Sequence, residues 1–300
     1  MRAVVTGANG FVGSAVVREL IGNGYDVVAA VHSGQERLEG LDVEVVSYSR
    51  KDISKLSDII SGGCDVFYDL AWEGSAGPKR ADVRLQLDNA AWTVDAMKVA
   101  KALGCTRFLH AGSIMEREVI AAAYSDGMRP GQGNIYGCGK ATAHIMCRSA
   151  ASEIGIDLIW PMITNAYGPG EFSPRLVNST LRKCIDGISP EFTVATQNYD
   201  FVYIDDVARA FRLIGENGSP FTDYMIGSSG AKPLREFLLE MRDAVAPELE
   251  FRFGNIPFTG VSLPLETFDC SKTEEDTGFR AEVSFAEGCR RTTEWLRSLE

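Results

Sequence analysis

The chain has 300 residues, of which 45% are hydrophobic, so it can bury a large core in one domain or in two closely joined ones. Its formal net charge of −11 argues against a polyanion such as nucleic acid as its partner. No apolar run approaches the roughly 20 residues that a membrane-spanning helix needs. Nucleic-acid binding and membrane insertion are therefore not predicted.

The seven cysteines are scattered, odd in number and without a Cys-x-x-Cys pair, which predicts reduced thiols. His144 and Cys147 lie three residues apart in a spacing that matches no zinc pattern, so no metal site is predicted. The first residues pass directly into a strand and leave no room for a signal peptide. We therefore expect a cytoplasmic protein.

The N-terminal segment has the pattern of a dinucleotide-binding βαβ unit. A strand over residues 2–6 leads into a glycine-rich turn, a helix to about Leu20, and a second strand over Tyr25–Val31. Glycines allow the backbone to approach a pyrophosphate, whose charge then lies at the helix N-terminus. The residues predicted to line this cofactor site are Gly7, Asn9, Gly10, Phe11, Val12 and Gly13.

Strands and helices continue to alternate beyond this unit. The later predicted strands are Val43–Tyr48, Cys64–Ala71, Thr106–Ser113 and Ile156–Trp160, and the predicted helices lie near 54–60, at 81–103, and from Tyr136 to about Glu153. This alternation predicts an α/β fold, a Rossmann-like doubly wound parallel sheet with a smaller C-terminal α/β substrate domain. Residues 1–165 would form the dinucleotide-binding domain, with 195–218 returning to it, and 166–300 would mainly form the substrate-binding domain.

Three residues are predicted to be catalytic. Tyr136 and Lys140 are four residues apart and therefore share one face of a helix. A neighbouring ammonium favours the phenolate and lowers the pKa of a phenol, ordinarily about 10, which makes Tyr136 usable as an acid or base. Ser113 closes a strand, and the carboxyl ends of parallel strands form the edge where ligands bind.

Five motifs occur in register along the chain. They are Thr6-Gly7-Ala8-Asn9-Gly10-Phe11-Val12-Gly13, Ser113, Tyr136-x-x-x-Lys140, Asn165-Ala166-Tyr167-Gly168-Pro169-Gly170, and the segment from Asp200 to Asp206. Together they resemble the extended short-chain dehydrogenase/reductase family, in its NAD-dependent epimerase/dehydratase branch that acts on nucleotide sugars. The segments Asp269–Lys272 and Phe285–Gly288 resemble the C-terminal signature of that branch, so the resemblance covers nearly the whole chain.

The resemblance implies a role for each matching residue. Tyr136 would exchange a proton with a sugar hydroxyl or carbonyl while a nicotinamide exchanges hydride with the same carbon, Ser113 would orient the reacting oxygen, and Lys140 would hold the nicotinamide ribose. Further cofactor contacts would come from Asp52, Ile53, Leu70, Ala71 and Pro161, and substrate contacts from Trp72, Ser113, Asn165 and Tyr199. The helix at 81–103 and the Tyr136 helix would pair across a homodimer.

The chain also departs from the family pattern. Sugar-nucleotide 4,6-dehydratases carry an Asp-Glu pair directly after the catalytic Ser or Thr, where this chain has Ile114-Met115, with Glu116 one position late. A 4,6-dehydratase is therefore disfavoured. Many members have a diphosphate-binding arginine at the position of Tyr199, and the second such clamp has no counterpart in residues 261–267. The candidate replacements are Arg175, Arg182 and Arg252, each of which can also be an ordinary solvated charge.

The end of the second strand bears on the choice of cofactor. An acid about 20 residues after the glycines would bind the ribose hydroxyls of NAD, but none stands at the expected place. His32, Ser33 and Arg37 could instead accept the phosphate of NADP, which the sequence therefore favours. Glu36 is an acid close to this position, so NAD remains an alternative cofactor.

The predicted function is that of a nucleotide-sugar 4-epimerase or 4-keto-reductase, which the residues named here do not separate. One alternative is an NADPH-dependent reductase of a non-nucleotide ketone or aldehyde. Another is a non-catalytic NAD(P)-sensing regulator, although the chain keeps the Tyr136 and Lys140 pair that such proteins lose. His110 lies within an apolar strand and is predicted to be a satisfied core residue.

Overall fold

A computed structural model describes residues 1–300 of the chain. Its strands are β1 (Arg2–Thr6), β2 (Asp26–Val31), β3 (Glu44–Ser47), β4 (Val66–Asp69), β5 (Arg107–His110), β6 (Gly112–Ser113), β7 (Asp157–Ile163), β8 (Ala166–Tyr167), β9 (Glu191–Phe192), β10 (Asn198–Tyr199), β11 (Val202–Tyr203), β12 (Thr222–Ile226), β13 (Lys232–Pro233) and β14 (Arg252–Phe253). The main sheet has the order β12-β7-β5-β4-β1-β2-β3, with β6 also paired to β7, and every pair in it is parallel.

Ten α-helices accompany these strands. They are α1 (Phe11–Gly22), α2 (Leu56–Ile59), α3 (Val83–Ala102), α4 (Met115–Ala123), α5 (Ile135–Ile154), α6 (Leu176–Ile185), α7 (Ile204–Asn217), α8 (Leu234–Val245), α9 (Ser271–Thr277) and α10 (Phe285–Arg297). None of them is both long enough and apolar enough to span a bilayer.

The main sheet separates two hydrophobic cores. Successive residues of a strand point to opposite faces, so Val5 packs in the core that contains α1 and α7, and Val4 packs in the core that contains α3 and α5. Small residues such as Ala96 and Ala143 bring α3 and α5 close together. The prediction of a doubly wound parallel sheet is therefore confirmed.

The C-terminal part supplies short paired strands and helices. The pairs are β8 with β11, β9 with β14 and β10 with β13, accompanied by α6, α8 and α10. Strand β12 pairs with β7 in the main sheet, and helix α7 packs in the core on one of its faces. The predicted domain boundaries stay a prediction. Helix α4 lies in a region that the sequence analysis left unassigned.

Candidate active site

The turn between β1 and α1 is a bare backbone cradle. Gly7 has a φ of 66°, and a Cβ there would lie 2.8 Å from the Ala71 backbone at the end of β4. A Cβ on Gly13 would clash with the carbonyl oxygen of Gly7. The N-terminus of α1 has no side-chain cap, so its first amide groups point outward without an intrahelical acceptor. These features fit the pyrophosphate of a dinucleotide.

Two adjoining cavities open at the carboxyl edge of the sheet. The larger, about 600 Å³, is called the cofactor cavity here, and the smaller, about 340 Å³, the substrate cavity. Predicted site residues that line the cofactor cavity are Gly7, Asn9, Gly10, Phe11, Val12, Gly13, His32, Ser33, Leu70, Ala71, Trp72, Ser113, Tyr136 and Lys140. Asn165 and Tyr199 line the substrate cavity, and Ser113 and Tyr136 line both. The two hydroxyl-bearing residues thus stand at the shared wall.

Three residues predicted to contact the cofactor lie away from the cofactor cavity. Asp52 is bound to Lys55 at 2.8 Å, and Ile53 is buried in the core beneath the sheet. Pro161 lies within β7, and it is Ile163, at the end of that strand, that reaches the cavity. Only the end of the strand lies at the ligand edge, so Pro161 does not reach the cavity.

Arg37 does not line the cofactor cavity either. Its guanidinium donates a hydrogen bond to the Gly170 carbonyl oxygen at 2.7 Å and lies 5.4 Å from the centre of the Phe172 ring. Glu36 instead accepts a hydrogen bond at 3.0 Å from Asn9, which does line the cavity. The 3₁₀ turn Glu36–Leu38, which follows β2, therefore places a carboxylate beside Asn9 in the cavity wall, while Arg37, the arginine expected to bind phosphate, is engaged elsewhere.

Tyr136 is buried, and the burial raises the pKa of its phenol. The charges that most oppose this rise are Arg175 and then Arg80, together with a hydrogen bond from Ser113. The Lys140 ammonium lies 6.0 Å from the centre of the Tyr136 ring and only 3.7 Å from the centre of the Trp72 ring. The helical spacing does bring Tyr136 and Lys140 together, but arginines supply the neighbouring charge that Lys140 was expected to provide.

Lys140 is held by residues at the end of β5. Its Nζ donates to the Ala111 carbonyl oxygen at 2.7 Å and lies 3.0 Å from His110 Nε2. Burial lowers the pKa of Lys140 to about 7 and that of His110 to about 3. A neutral imidazole can accept from Lys140 at Nε2 while its Nδ1–H donates to Asp69, 2.8 Å away. His110 is thus the satisfied core residue expected, and its partner is Lys140.

Asp69 completes the environment of His110 from the end of β4. Its two carboxylate oxygens accept hydrogen bonds from the Arg50 guanidinium at 2.6 and 2.9 Å, and one of them also accepts a hydrogen bond from the Thr6 hydroxyl at 2.6 Å. Burial opposes ionisation, but Arg50 and His110 outweigh that effect and hold the pKa of Asp69 below its usual range. We call Arg50, Asp69, His110 and Lys140 the buried polar chain, and all four side chains are at most 3% exposed.

Comparison with known proteins identifies the family. The model of the NAD dependent epimerase/dehydratase family matches residues 3–227. The chain belongs to this family. A UDP-glucose 4-epimerase from Mycolicibacterium smegmatis is 25% identical to this family member over 99% of each chain.

Two solved structures show the same fold. The UDP-glucose 4-epimerase of Thermotoga maritima, in complex with UDP-glucose, superposes with a TM-score of 0.80 at 22% identity over 100% of both chains. A dTDP-glucose 4,6-dehydratase from Streptomyces venezuelae with NAD bound gives a TM-score of 0.80 at 24% identity, covering 99% of this chain and 97% of that one.

Glu116 of this family member is turned away from both cavities. Its buried carboxylate accepts hydrogen bonds from the Ser113 backbone N–H at 2.8 Å and from the Trp160 indole at 3.2 Å, and it also contacts His144 Nδ1 at 2.9 Å. These contacts fix the backbone that carries the Ser113 hydroxyl. Glu116 therefore cannot replace the acid–base pair of a dehydratase without a rearrangement of this segment.

His144 joins Glu116 to Asp223, with Nε2 3.0 Å from the Asp223 carboxylate. Burial opposes the charged imidazole, but hydrogen bonds to the two carboxylates outweigh it and raise the pKa of His144 to about 9. A pKa raised by folding stabilises the native state fully below the usual value of about 6.5. This stabilisation is lost as the pH rises through 9.

A His144→Gln variant should therefore remove this pH dependence. Between about pH 6 and pH 9.5, the free energy of unfolding of the wild type should fall by on the order of 2 kcal/mol more than that of the variant. Urea titrations at the two pH values measure the difference. His32→Gln, which removes an exposed imidazole, is the control and should behave as the wild type. An equal pH dependence in His144→Gln and the wild type would contradict the assignment of this stability loss to the raised pKa of His144.

Sequence reasoning missed several residues of the site. Arg50 and Tyr48 line the cofactor cavity and Arg80 lines the substrate cavity, although none belongs to a motif. Asp69 offered one signal, because a carboxylate inside an apolar strand needs a buried partner. Nothing local in the sequence identified that partner as Arg50.

Proposed function

We propose that the protein catalyses hydride transfer at C4 of a nucleotide sugar, as a 4-epimerase or a 4-keto-reductase. The observation that carries this proposal is the position of Ser113 and Tyr136 at the wall shared by the cofactor cavity and the substrate cavity. A proton donor at this wall can act on a substrate oxygen while the same carbon faces the cofactor. Similarity over the full length to a UDP-glucose 4-epimerase supports epimerisation as the first reaction to test.

In this proposal, the catalytic and cofactor-binding residues have separate roles. Tyr136 takes a proton from the substrate hydroxyl or returns it to the carbonyl, and Ser113 hydrogen-bonds the same oxygen. Lys140, fixed by His110 and the Ala111 carbonyl, faces the cofactor cavity and binds the nicotinamide ribose. The glycine cradle at Gly7 and Gly13 receives the pyrophosphate. A bound nicotinamide supplies the acceptor and donor of hydride.

We further propose NAD as the cofactor. The preference for NADP finds no support, because Arg37 is bound to the Gly170 carbonyl oxygen and Glu36 places a carboxylate beside Asn9. A carboxylate in this region repels the 2′-phosphate of NADP and can accept hydrogen bonds from the ribose of NAD. The dehydratase from Streptomyces venezuelae, which has the same fold, contains NAD.

A homodimer through α3 and α5 remains part of the proposal. Leu87 on α3 and Ile145 on α5 are 50% and 64% exposed, which supports a further apolar contact on these helices.

Purified protein should be analysed for bound nicotinamide and then incubated with UDP-glucose and NAD. We expect bound NAD or tighter binding of NAD than of NADP, and conversion of the sugar to its C4 epimer, detected by proton NMR. If no epimer forms, oxidation of NADH by nucleotide-linked 4-keto sugars tests the reductase form. Failure to turn over any nucleotide sugar, with reduction of simple ketones or no chemistry at all, would reject the proposal.

A further inference from the structure

Two buried cysteines contact each other at the amino edge of the main sheet. Cys64 lies two residues before β4 and Cys105 two residues before β5, and they are 6% and 1% exposed. Their Sγ atoms are 2.8 Å apart, and either thiol can donate the hydrogen bond between them. An S–S bond is about 2.05 Å long, so these residues are free thiols in contact. No other two cysteines of the chain are hydrogen-bonded to each other.

The pairing of β4 with β5 places the two cysteines opposite each other. The strands are parallel, and each paired residue of β5 lies 41 positions after its partner in β4, the same separation as between Cys64 and Cys105. The intervening Thr106 N–H donates to the Asp65 carbonyl oxygen at 3.1 Å, so the pairing extends toward the cysteines. Neighbouring strands are about 4.8 Å apart, within the range of Cα separations, about 4.4–6.8 Å, that a disulfide spans.

The two thiols lie just beneath the protein surface. Cys64 follows Gly63, and Cys105 lies between Gly104 and Thr106, and all three of these neighbours are exposed. The two glycines carry no side chain that could cover the sulfur atoms. Because Cys64 is the more exposed cysteine of the pair, it is the one that a small oxidant meets first.

Cys64 is also the better nucleophile of the two. The hydrogen bond with Cys105 lowers the pKa of the Cys64 thiol, burial opposes this effect, and the charge of Arg2 lowers the pKa further. The same hydrogen bond, together with burial, raises the pKa of Cys105. Arg2 is fixed beside this segment by a hydrogen bond to the Ser61 carbonyl oxygen at 2.6 Å. Since the thiolate is the reactive form of cysteine, Cys64 reacts first and Cys105 second.

We infer that Cys64 and Cys105 form a redox-active dithiol that closes into a disulfide without rearrangement of the main sheet. The Cys64 thiolate attacks hydrogen peroxide, the O–O bond breaks, and a sulfenic acid and hydroxide form. The Cys105 sulfur then attacks the sulfenic sulfur, an S–S bond replaces the S–O bond, and the hydroxyl leaves with the Cys105 proton as water. In total, two thiols and one peroxide give a disulfide and two waters, and the two electrons that sulfur loses reduce the peroxide.

This dithiol lies apart from the candidate active site. Neither Cys64 nor Cys105 lines the cofactor cavity or the substrate cavity, because both precede their strands and the cavities open where the strands end. The inference therefore does not depend on the proposed function. Its tests use thiol chemistry and stability rather than turnover.

Cys147 provides a matched control. It is fully buried in the same hydrophobic core as Cys64 and Cys105 but is hydrogen-bonded to no other thiol. A single buried cysteine packs as a small apolar residue. We therefore expect Cys147→Ser to leave the reaction between Cys64 and Cys105 unchanged.

Peptide mapping of the full-length protein tests the inference. The wild type, Cys64→Ser, Cys105→Ser and Cys147→Ser are treated with hydrogen peroxide, alkylated with N-ethylmaleimide in denaturant and digested without reduction. Mass spectrometry of the wild type and of Cys147→Ser should show two peptides joined through Cys64 and Cys105, lighter by two hydrogen atoms than the separate peptides. Cys64→Ser and Cys105→Ser should lack this species, and dithiothreitol should remove it from the wild type.

The disulfide should also raise the Tm. It closes a loop between residues 41 positions apart, which corresponds to a rise of roughly 5–10 °C. Thermal denaturation of peroxide-treated wild type is compared with that of the same sample after dithiothreitol. Oxidised methionines are present in both samples, so the difference in Tm measures the disulfide alone.

Three results would overturn the inference. The first is recovery of Cys64 and Cys105 as alkylated thiols after peroxide treatment. The second is a sulfinic acid on Cys64 beside an unmodified Cys105, or a disulfide from either residue to any other cysteine. The third is a Cys64–Cys105 disulfide that lowers the Tm, because such a bond would not fit the native sheet. The wild-type map decides the first two points even where Cys64→Ser or Cys105→Ser does not fold.

Discussion

Replacing Tyr136 with phenylalanine should lower kcat by roughly two to four orders of magnitude, the usual contribution of a positioned general acid or base. The phenylalanine ring preserves the contacts with Trp72 and Arg80, so the loss isolates the hydroxyl. Steady-state turnover of the nucleotide sugar measures kcat, and a titration with NAD should show that the variant binds the cofactor with nearly wild-type affinity.

Tyr124→Phe is a matched control for this substitution. Tyr124 is 88% exposed at the end of α4 and lines neither cavity, so the loss of its hydroxyl should leave kcat unchanged. A Tyr136→Phe variant with kcat within tenfold of the wild type would refute the role of Tyr136. Such a result would move the search for the proton donor to Ser113, the other predicted catalytic hydroxyl that lines both cavities.

Asp69→Asn should lower the free energy of unfolding by about 3–5 kcal/mol, because it leaves the buried Arg50 guanidinium without its counterion. Asp69 and Arg50 are 0% and 2% exposed and joined by two hydrogen bonds, so water cannot replace the lost charge. His110 also loses the carboxylate that accepts its Nδ1–H. Urea denaturation at neutral pH measures the change.

The exposed pair of Arg84 and Asp88 provides the control. Their shortest separation is 2.9 Å, but the Arg84 side chain is 84% exposed. Asp88→Asn should therefore cost no more than about 1 kcal/mol. If Asp69→Asn is equally mild, the buried polar chain does not stabilise the fold in the way its geometry indicates.

The sheet and its ligand edge were predictable because their causes are local. Alternating strand and helix patterns give the parallel sheet, and a glycine turn after a strand gives the cradle at Gly7. The spacing of Tyr136 and Lys140 gives their shared helix face. Ser113 follows from its place at the end of a strand.

The direction in which each side chain points was not predictable. Lys140 turns toward His110 and Trp72, which precede it by 30 and 68 residues in the chain, so its orientation depends on tertiary packing. Glu116 turns inward because His144 and Trp160 offer it partners on other elements. Helix propensity could have identified α4, whose sequence is rich in Ala and Glu, but not the side of α4 on which Glu116 lies.

The pairing of Arg50 with Asp69 was likewise not predictable from the sequence. The two residues are 19 positions apart and meet only after β3 and β4 have taken their places in the sheet. Arg80 was overlooked for a related reason, since a short turn outside every motif gives no sign that it will fold over Tyr136.

The buried polar chain constrains how this sequence can diverge. Exchanging Arg50 or Asp69 alone leaves an uncompensated buried charge. Replacing both with apolar residues would remove that charge but would still leave the His110 Nδ1–H and the Thr6 hydroxyl without the acceptor that Asp69 supplies. Substitution at positions 50 and 69 is therefore coupled to positions 6 and 110. Asp69 contacts His110, and His110 contacts Lys140. A mutation at position 50 or 69, away from the substrate, can therefore change the position of Lys140 in the site.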